Sequence, residues 1–321
     1  MDRKPLLSIV VSSYTTDRLR DICELLDSIK AQTYSHTETI FIVERSRELY
    51  KDIKDYGKAI RLRNLLTILS KDRITLGGAR NLGARRARGE IVAFVDDDVN
   101  LSPDWAAEMV GSYKDKDVIG ATGAALPLWM DKELDWLPRE FYWLISCTEW
   151  VGWDKVTEAR SLWGGNMSLR KEAFKEGNFL KSMGYHAPIA EDLEFSLRLR
   201  AKTGKRLVFN PKVVVRHKVH GYRVGFRFVA ARAHHIGVSR RLLKSTYLGR
   251  YASFGIEKGV LKGITKILLS LPIKFIRKPV VAVKTFCLCA TVLLFAGIGY
   301  LFPREMGSAI QEIERAFIWG C

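Results

Sequence analysis

The stretch GEIVAFVDDDVN, residues 89–100, joins an apolar run to three consecutive aspartates. The run from Ile91 to Val95 has the length and the β-branched content of a buried strand. The upstream sequence alternates two similar runs with two helical segments: LLSIVVSSY (6–14), DRLRDICELLDSIKAQ (17–32), ETIFIVER (38–45) and GGARNLGARRARG (77–89). This alternation predicts an α/β fold with a mainly parallel sheet and helices on both faces.

Polar residues stand at the end of each predicted strand. Ser13 and Tyr14 follow the first strand, Glu44 follows the second, and Asp96 to Asp98 follow the third. The carboxyl ends of parallel strands share one edge of a sheet, and ligands of α/β proteins bind in the crevice outside that edge. We therefore expect these side chains to converge on one site.

The three adjacent aspartates repel one another and need compensation. One explanation is a solvated turn after the strand. The other is a hard divalent cation, Mn²⁺ or Mg²⁺, which prefers oxygen ligands and also holds phosphate oxygens. Side chains alternate along an extended backbone, so Asp96 and Asp98 point one way and Asp97 points the other way. We expect Asp98 to hold the metal and Asp96 to face a nucleotide ribose.

The excess positive charge of the chain is concentrated in its last third. The formal net charge is +17, and residues 195–304 contain 23 lysines and arginines but a single acidic residue, Glu257. Such a surplus suits nucleic acid, an anionic membrane surface or phosphorylated substrates. Because no nucleic-acid-binding motif is present, we expect no nucleic-acid partner.

The same third of the chain has the pattern of a membrane-attached region. Residues 280–303 are apolar and long enough to span a bilayer as one transmembrane helix, although a buried core helix or a re-entrant hairpin has the same signature. Residues 226–279 predict basic amphipathic helices that lie on anionic lipid, and residues 304–321 form a short tail. By the positive-inside rule, a catalytic domain over residues 1–225 would lie on the cytoplasmic side of the cell membrane.

Nothing in the sequence predicts secretion. The N-terminal segment MDRKPLLSIVVSSY lacks a long apolar region and a small-residue cleavage site, so we expect a first strand and not a signal peptide. The five cysteines have no metal-ligand spacing, and reduced thiols in a cytosolic setting fit them better than disulfides do.

Several motifs together resemble those of the family 2 glycosyltransferases with the GT-A fold. They occur in family order over roughly residues 5–225: SIVVSSYTTDR, FIVERS, GGARNLGARRARGEIVAFVDDD, LWGGNMSLRKEAF, AEDLEFSLRLRAKTGKRLVFNP and VVVRHKVHGYR. Each is weak alone, but the series is specific. With the later RFVAARAHHIGVSRRLL, the chain is most similar to archaeal dolichyl-phosphate-linked glucuronosyltransferases and related membrane-attached enzymes.

This resemblance assigns a nucleotide, with UDP favoured, to the strand ends and the glycine-rich turn. The residues implied are Ser13, Tyr14, Glu44, Arg80, Asn81, Asp96 and Asp97. Most relatives carry Asp where Glu44 stands, and either carboxylate can accept a hydrogen bond from the uracil N–H. Arg80 and Asn81 open a helix after two glycines, where backbone N–H groups and a cation suit a pyrophosphate. The alternative is a plain glycine turn with a surface arginine.

The resemblance also implies the catalytic and sugar-binding residues. Asp192 would be the general base that takes the proton of the acceptor hydroxyl, with Glu191 as its alternative or as an acceptor-binding group. Gly165 and Asn166 would lie near the donor sugar and the acceptor. Trp163 could stack on a sugar or a lipid, or belong to the core.

A metal site of Asp98, Asp96 and His217 follows from the same resemblance. His217 matches a late family histidine that contacts metal or phosphate, and His220 is a weaker candidate beside it. A lone histidine after a strand also occurs as a purely structural residue.

The resulting interpretation is an inverting, metal-dependent glycosyltransferase attached to the membrane. It would transfer a sugar, such as glucose or glucuronic acid, from a nucleoside-diphosphate sugar to a lipid-linked acceptor, such as dolichyl phosphate or a dolichyl-phosphate-linked saccharide. The alternative is a catalytically silent membrane scaffold of the same fold. A sugar nucleotidyltransferase is disfavoured because SSYTTDR stands where its glycine-rich, lysine-containing loop would follow the first strand.

Overall fold

One mixed sheet forms the centre of the protein. The computed structural model describes residues 4–149, 152–180, 191–246 and 255–303. Its strands are β1 (Leu7–Ser13), β2 (Thr37–Glu44), β3 (Leu65–Ser70), β4 (Ile91–Val95), β5 (Val99–Leu101), β6 (Val118–Trp129), β7 (Thr157–Ala159), β8 (Asn166–Arg170) and β9 (Arg206–Val219). They are ordered β3-β2-β1-β4-β8-β6-β9-β5, with β7 paired to β9.

The first half of the sheet is parallel, as the sequence predicts. β1 pairs in parallel with both β2 and β4, and β2 pairs in parallel with β3. The strand β3 lies within residues 60–71, whose pattern is ambiguous in sequence because its residues are only partly buried. The predicted convergence of the strand ends follows from this register, because β1, β2 and β4 end at the same edge.

Helices cover both faces of the sheet, as predicted. They are α1 (Leu19–Lys30), α2 (Arg47–Ala59), α3 (Leu76–Arg86), α4 (Trp105–Gly111), α5 (Glu191–Thr203), α6 (Phe226–Lys244), α7 (Gly255–Arg277) and α8 (Pro279–Leu301). Apolar residues of α1, α2 and α4 form a core on one face, and those of α3 and α5 form a core on the other. Side-chain N-caps begin two of these helices. The Ser46 hydroxyl accepts from the Leu49 N–H at the start of α2, and the Thr75 hydroxyl accepts from the Gly78 N–H at the start of α3.

The second half of the sheet is mixed: β6 and β9 run in the same direction as the first four strands, whereas β5, β7 and β8 run the opposite way. The prediction of a mainly parallel sheet is confirmed. β8 runs antiparallel to both β4 and β6, whereas β6 and β9 are parallel. β5 pairs antiparallel with β9 and places Val99 opposite His217. This pairing carries a residue from late in the chain to the aspartates that follow β4. Strand direction in this half depends on long connections, which the apolar pattern does not encode.

The C-terminal helices join the sheet domain through close helix packing. A side chain at Gly299 of α8 would overlap the backbone of His234 in α6, and one at Gly237 of α6 would overlap Ala296 in α8. The glycines therefore let the two backbones touch. Leu288, Cys289 and Val292 of α8 share a core with the residues 136–147.

The opposite surface of α7 and α8 exposes large apolar side chains. These include Leu261, Leu269, Ile273, Ile276, Val280, Phe286, Leu294 and Leu301. Among the described residues, α8 alone is long and apolar enough to cross a membrane, on the basis of length and composition. The predicted tail, 304–321, lies outside the described residues.

Candidate active site

Two cavities open at the carboxyl edge of the sheet. The strand-end cavity, of about 910 Å³, is lined by Ser13, Tyr14, Glu44, Asp96, Asp97, Asp98 and the arginines 18, 45, 73 and 223. The helix-side cavity, of about 830 Å³, is lined by Arg80, Asp96, Trp163, Gly165, Glu191, Asp192, His217 and one face of α6. Asp96 lines both cavities, as do Phe228 and Arg232 of α6. A ligand in either cavity can therefore reach the same carboxylate.

Two of the three aspartates meet a histidine. Ligand atoms of Asp96, Asp98 and His217 lie within 4.8 Å of one another. The Nε2 atom of His217 is 3.5 Å from Asp98 Oδ1. Asp97 turns instead to Arg18, whose Nη1 donates to its Oδ1 at 2.7 Å. Asp96 and Asp98 therefore face one way and Asp97 faces the other, as the alternation of side chains along an extended backbone predicts.

The metal group passes a test of fit. The Oδ1 atom of Asp98 and the Nδ1 atom of His217 are buried and have no hydrogen-bond partner. Burial lowers the pKa of His217 to about 4, against the opposing effect of Asp98, so the imidazole is neutral at pH 7. A neutral imidazole and carboxylate oxygens are suitable ligands for Mn²⁺ or Mg²⁺. Unsatisfied buried polar atoms on two candidate ligands also favour a missing partner.

Two arginines that were not predicted as partners of the aspartates compensate much of the aspartate charge. Arg223 Nη2 donates to Asp98 Oδ2 at 2.6 Å, and Arg18 lies 3.4 Å from the same oxygen. Burial opposes ionisation of Asp98, but His217, Arg223 and Arg18 lower its pKa. The carboxylates therefore do not depend wholly on a metal for charge balance. Both arginines occur in the motifs SSYTTDR and HGYR, and the need for compensation was the signal that could have identified them.

Arg80 connects three parts of the site. It forms a buried ion pair with Glu191, and its Nη2 donates to the Gly164 carbonyl at 2.8 Å. Asp96 Oδ1 lies 3.6 Å from it. Arg80 therefore faces the helix-side cavity and positions α5 and the 163–165 loop. In this geometry its guanidinium is engaged with carboxylates and a carbonyl, so Arg80 is not the surface arginine of the alternative explanation, and its predicted contact with a pyrophosphate stays a prediction.

The two asparagines assigned to ligands serve the fold. The Asn81 amide donates to the Phe179 carbonyl at 2.7 Å and accepts from the Phe179 N–H at 2.9 Å. Asn166 Oδ1 accepts from the Trp105 indole at 2.8 Å, and its amide donates to Val213 and Ala124 carbonyls. Both side chains are fully buried. Asn166 therefore uses both of its N–H groups inside the protein, and the assignment of the two asparagines to nucleotide and sugar stays a prediction.

The two acids that begin α5 have different environments. Glu191 is buried against Arg80, and burial raises its pKa to about 6 despite that arginine. Asp192 is half-buried, lines the helix-side cavity and accepts from the Gly164 N–H through Oδ2 at 2.7 Å. A reacting hydroxyl in the cavity can approach Asp192 more easily than it can approach Glu191. The geometry therefore favours Asp192 as the base.

The glycines of the 163–165 loop permit this close arrangement. A side-chain carbon at Gly165 would lie 2.6 Å from Asp96 Oδ2, and one at Gly164 would lie 2.9 Å from Asp192 Oδ2. Trp163 lines the helix-side cavity beside them. Any larger residue would displace the carboxylates, so the loop brings its backbone directly against the reactive groups.

The remaining candidates lie at the edges of the site. Glu44 lines the strand-end cavity and accepts from the Ile74 N–H at 3.0 Å. Tyr14 is 67% exposed at the mouth of the cavity, and so is available to stack on a ligand. His220 binds Asp21 at 2.8 Å, away from the metal group, which makes it a structural residue.

Comparison with known proteins decides the family. Residues 8–177 match the model of glycosyl transferase family 2. The chain belongs to this family. It is a glycosyltransferase, and the resemblance read from its motifs is confirmed.

Individual relatives agree with this assignment. The chain is 28% identical over 247 residues to the glucosyl-dolichyl phosphate glucuronosyltransferase of Haloferax volcanii, which covers 75% of this chain and 78% of the relative. It is 31% identical over 113 residues to the glycosyltransferase EpsH of Bacillus subtilis, covering 35% of this chain and 31% of EpsH. The glycosyltransferase is thus related to a dolichyl-phosphate glycosyltransferase.

A solved structure confirms the fold. The mannosyltransferase PcManGT from Pyrobaculum calidifontis, in complex with GDP-Man and Mn²⁺, superposes with a TM-score of 0.65 at 18% identity. The match covers 95% of this chain and 89% of PcManGT, so it includes the C-terminal helices. At this identity, the similarity concerns the fold alone.

Proposed function

We propose that this glycosyltransferase is an inverting, metal-dependent enzyme that transfers a sugar from a nucleoside-diphosphate sugar to a lipid-linked acceptor. The observation that carries the proposal is the position of Asp96. It belongs to the candidate metal group and also lines the cavity into which Asp192 opens. Metal, leaving group and base can therefore act on one anomeric carbon.

The strand-end cavity would hold the nucleotide. Ser13, Tyr14 and Glu44 lie where a base and a ribose would sit. Five arginines of the same lining supply charge for a diphosphate, at positions 18, 45, 73, 223 and 232. Glu44 retains acceptor capacity beyond its bond to Ile74, so it can accept from a uracil N–H. UDP is our preferred nucleotide because of the family resemblance, since the same carboxylate can also accept from the N–H groups of guanine. GDP, the nucleotide of the PcManGT complex, is the competitor.

The metal would be held by Asp98, Asp96 and His217, with Mn²⁺ or Mg²⁺ as the ion. When bound, it would neutralise charge that develops on the departing diphosphate. Arg18 and Arg223 stay beside Asp98 and add positive charge on the same side. Asp97, paired to Arg18, would hold that arginine in place and would touch the nucleotide only at its edge.

Asp192 would take the proton from the acceptor. The acceptor oxygen attacks the anomeric carbon, the bond from that carbon to the diphosphate breaks, and the proton passes to the carboxylate. A single displacement inverts the configuration at the anomeric carbon. The Gly164 N–H donates to Asp192 Oδ2 and the Leu193 N–H donates to Oδ1, each at 2.7 Å. Each oxygen keeps a second lone pair, through which the carboxylate can receive the proton. Glu191 and Arg80 would position this pair.

Membrane attachment would use α7 and α8. Their large exposed apolar side chains would enter the lipid, and Lys262, Lys266, Lys278 and Lys284 would contact anionic headgroups. A cytoplasmic catalytic side accords with the soluble nature of nucleotide sugars and with the basic residues before α8. The curated relative named for a dolichyl-phosphate substrate supports a lipid-linked acceptor.

The test uses the full chain purified in detergent. It is incubated with radiolabelled UDP- and GDP-sugars, Mn²⁺ or Mg²⁺, and an extract of polyprenyl-phosphate lipids. We expect transfer to lipid with one nucleotide class, and loss of transfer both on chelation and in Asp98→Ala. If every donor stays intact with and without lipid, the chain is a silent scaffold and the proposal fails.

A further inference from the structure

The helix-side cavity changes its chemistry from one wall to the other. Three acids, Asp96, Glu191 and Asp192, line the wall formed by the sheet and α5, where Arg80 is the one cation among the described residues and pairs with Glu191. The opposite wall is α6, which contributes Arg227, Arg232, His234 and His235 and whose sequence contains no acidic residue. A molecule that fills the cavity therefore meets proton acceptors at one end and cationic or hydrogen-bond-donating groups at the other.

These α6 residues form one face of the helix. Positions 227, 231 and 234, and positions 228, 232 and 235, are three or four residues apart, so their side chains project together. Arg232 and Phe228 also reach the strand-end cavity, whereas Arg227, His234 and His235 line only the helix-side cavity. The last three residues are thus placed for the acceptor and not for the donor.

The lining of the helix-side cavity includes an apolar residue of α8. Phe295 lines this cavity together with the two histidines of α6. Close packing at Gly237 and Gly299 fixes α8 against α6 and so keeps Phe295 at this position. The exposed side of the same helix carries Phe286, Leu293 and Leu294. An apolar chain that leaves the cavity at Phe295 can therefore continue onto an apolar helix surface.

We infer that the acceptor is a lipid-phosphate-linked saccharide whose phosphate binds Arg227, His234 and His235. A sugar hydroxyl would lie at Asp192, and the isoprenoid chain would leave past Phe295. This inference rests on the proposed function and narrows its acceptor. A volume of about 830 Å³ is within the usual range for pockets that enclose a ligand of this size.

The charge distribution argues against a bare lipid phosphate as the nucleophile. Its anionic oxygen would have to approach the anomeric carbon beside three acids that, of the described residues on this wall, Arg80 alone compensates, so the remaining like charges raise its energy. A hydroxyl carries no charge and needs a carboxylate to accept its proton. With a saccharide between the hydroxyl and the phosphate, the anion lies at the cationic wall. The acceptor phosphate then takes no part in bond breaking.

The experiment compares matched acceptors with the full chain in detergent. The phosphate-linked set is undecaprenyl phosphate bearing glucose, mannose or galactose. The comparison acceptors are undecaprenyl phosphate alone, farnesyl glycosides of the same sugars without phosphate, and glucose 1-phosphate without lipid. We expect transfer to a phosphate-linked glycoside, with kcat/KM at least tenfold above the best comparison acceptor.

Single variants then locate the phosphate. Arg227→Gln, His234→Gln and His235→Gln should each raise KM for the phosphate-linked glycoside about tenfold. They should leave KM for the farnesyl glycoside unchanged, because that acceptor has no phosphate to lose. Arg241→Gln is the matched control, since Arg241 lies on the same helix, lines neither cavity and contacts Tyr300. Arg227 is exposed, so its variant should fold.

Each other outcome overturns the inference. Preferred transfer to undecaprenyl phosphate itself would place the phosphate at the reacting end. If the farnesyl glycosides are used equally well, the protein does not bind the acceptor phosphate. If glucose 1-phosphate is used equally well, the protein does not bind the lipid chain. Donor hydrolysis without transfer to any phosphate-linked glycoside also counts against it. Absence of donor hydrolysis altogether is a different result, because it refutes the proposed glycosyl transfer itself.

Discussion

Replacing Asp192 with asparagine removes proton acceptance and one of the two backbone hydrogen bonds of this side chain, because the Gly164 N–H donates to Oδ2 and the Leu193 N–H donates to Oδ1. An asparagine oxygen can still accept from the Gly164 N–H, which now bonds Oδ2 at 2.7 Å. The amide cannot take a proton from the acceptor. A general base contributes about 10²- to 10⁴-fold to a rate, or about 3–5 kcal/mol of barrier. We expect kcat to fall by that factor while the nucleotide affinity stays the same.

The matched variant is Glu191→Gln, one residue away. The glutamine keeps a hydrogen bond from Arg80, and Asp96 remains 3.6 Å from that guanidinium. We expect kcat to change less than tenfold, because Glu191 is buried and positions other groups. Its main effect should be on stability against pH.

The sign of that pH effect follows from the raised pKa of Glu191. Burial moves this pKa from 4.5 to about 6, so the folded state prefers the neutral form. The stabilisation is complete below pH 4.5 and is lost as the pH rises through 6. A shift of this size corresponds to about 2 kcal/mol. The wild-type protein should lose this stability between pH 4.5 and 7, and Glu191→Gln should not.

The assays are transfer of radiolabelled sugar, calorimetric titration with the nucleotide, and denaturant unfolding at several pH values. The assignment of Asp192 as the base would be refuted if the two variants showed the opposite effects on transfer. If Glu191→Gln abolishes transfer with an unchanged pH profile of stability, while Asp192→Asn retains activity, then Glu191 is the base and the burial argument fails.

Further predictions concern the metal and two glycine contacts. Asp98→Asn should weaken Mn²⁺ binding at least tenfold in calorimetric titration with nucleotide present; unchanged Mn²⁺ affinity would exclude this carboxylate as a ligand. Gly165→Ala places a carbon 2.6 Å from a metal-site carboxylate oxygen, so kcat should fall at least tenfold, whereas Gly111→Ala, with open space around it, should leave kcat unchanged. Gly299→Ala drives a carbon into the α6 backbone and should destabilise the protein by about 1–3 kcal/mol, whereas Gly297→Ala on the same helix should not. Equal unfolding midpoints for these two variants would contradict the described packing of α6 against α8.

Much of the fold could be predicted because its signals are local. The runs that become β1, β2 and β4 are apolar because both faces of these strands are covered, and the amphipathic α1 shows its buried face directly. The mixed half of the sheet was harder. β8 has only five residues, and its antiparallel direction is set by how the chain returns to β4. Residue pattern does not contain that information.

The sequence predicted which residues lie at the candidate site better than it predicted which groups they contact. The strand ends identified Asp96 and Asp98, and the family motif added His217, which the β5–β9 pairing brings to them. Asn81 and Asn166 were assigned to ligands because they occur in motifs beside the site. Their amides bind backbone groups and an indole, and such internal hydrogen bonds cannot be predicted from the spacing of residues.

The sequence by itself determined that an α/β glycosyltransferase carries three aspartates at the carboxyl edge of its parallel strands, because hydrophobic periodicity and motif order are properties of neighbouring residues. The tertiary structure decided which groups compensate the negative charge of these aspartates. Arg18 and Arg223 lie 79 and 125 residues from the aspartates that they contact, and α6 supplies the cationic wall opposite the base. Electrostatic interactions act through space and depend on burial, so these partners became visible only after distant segments were packed together.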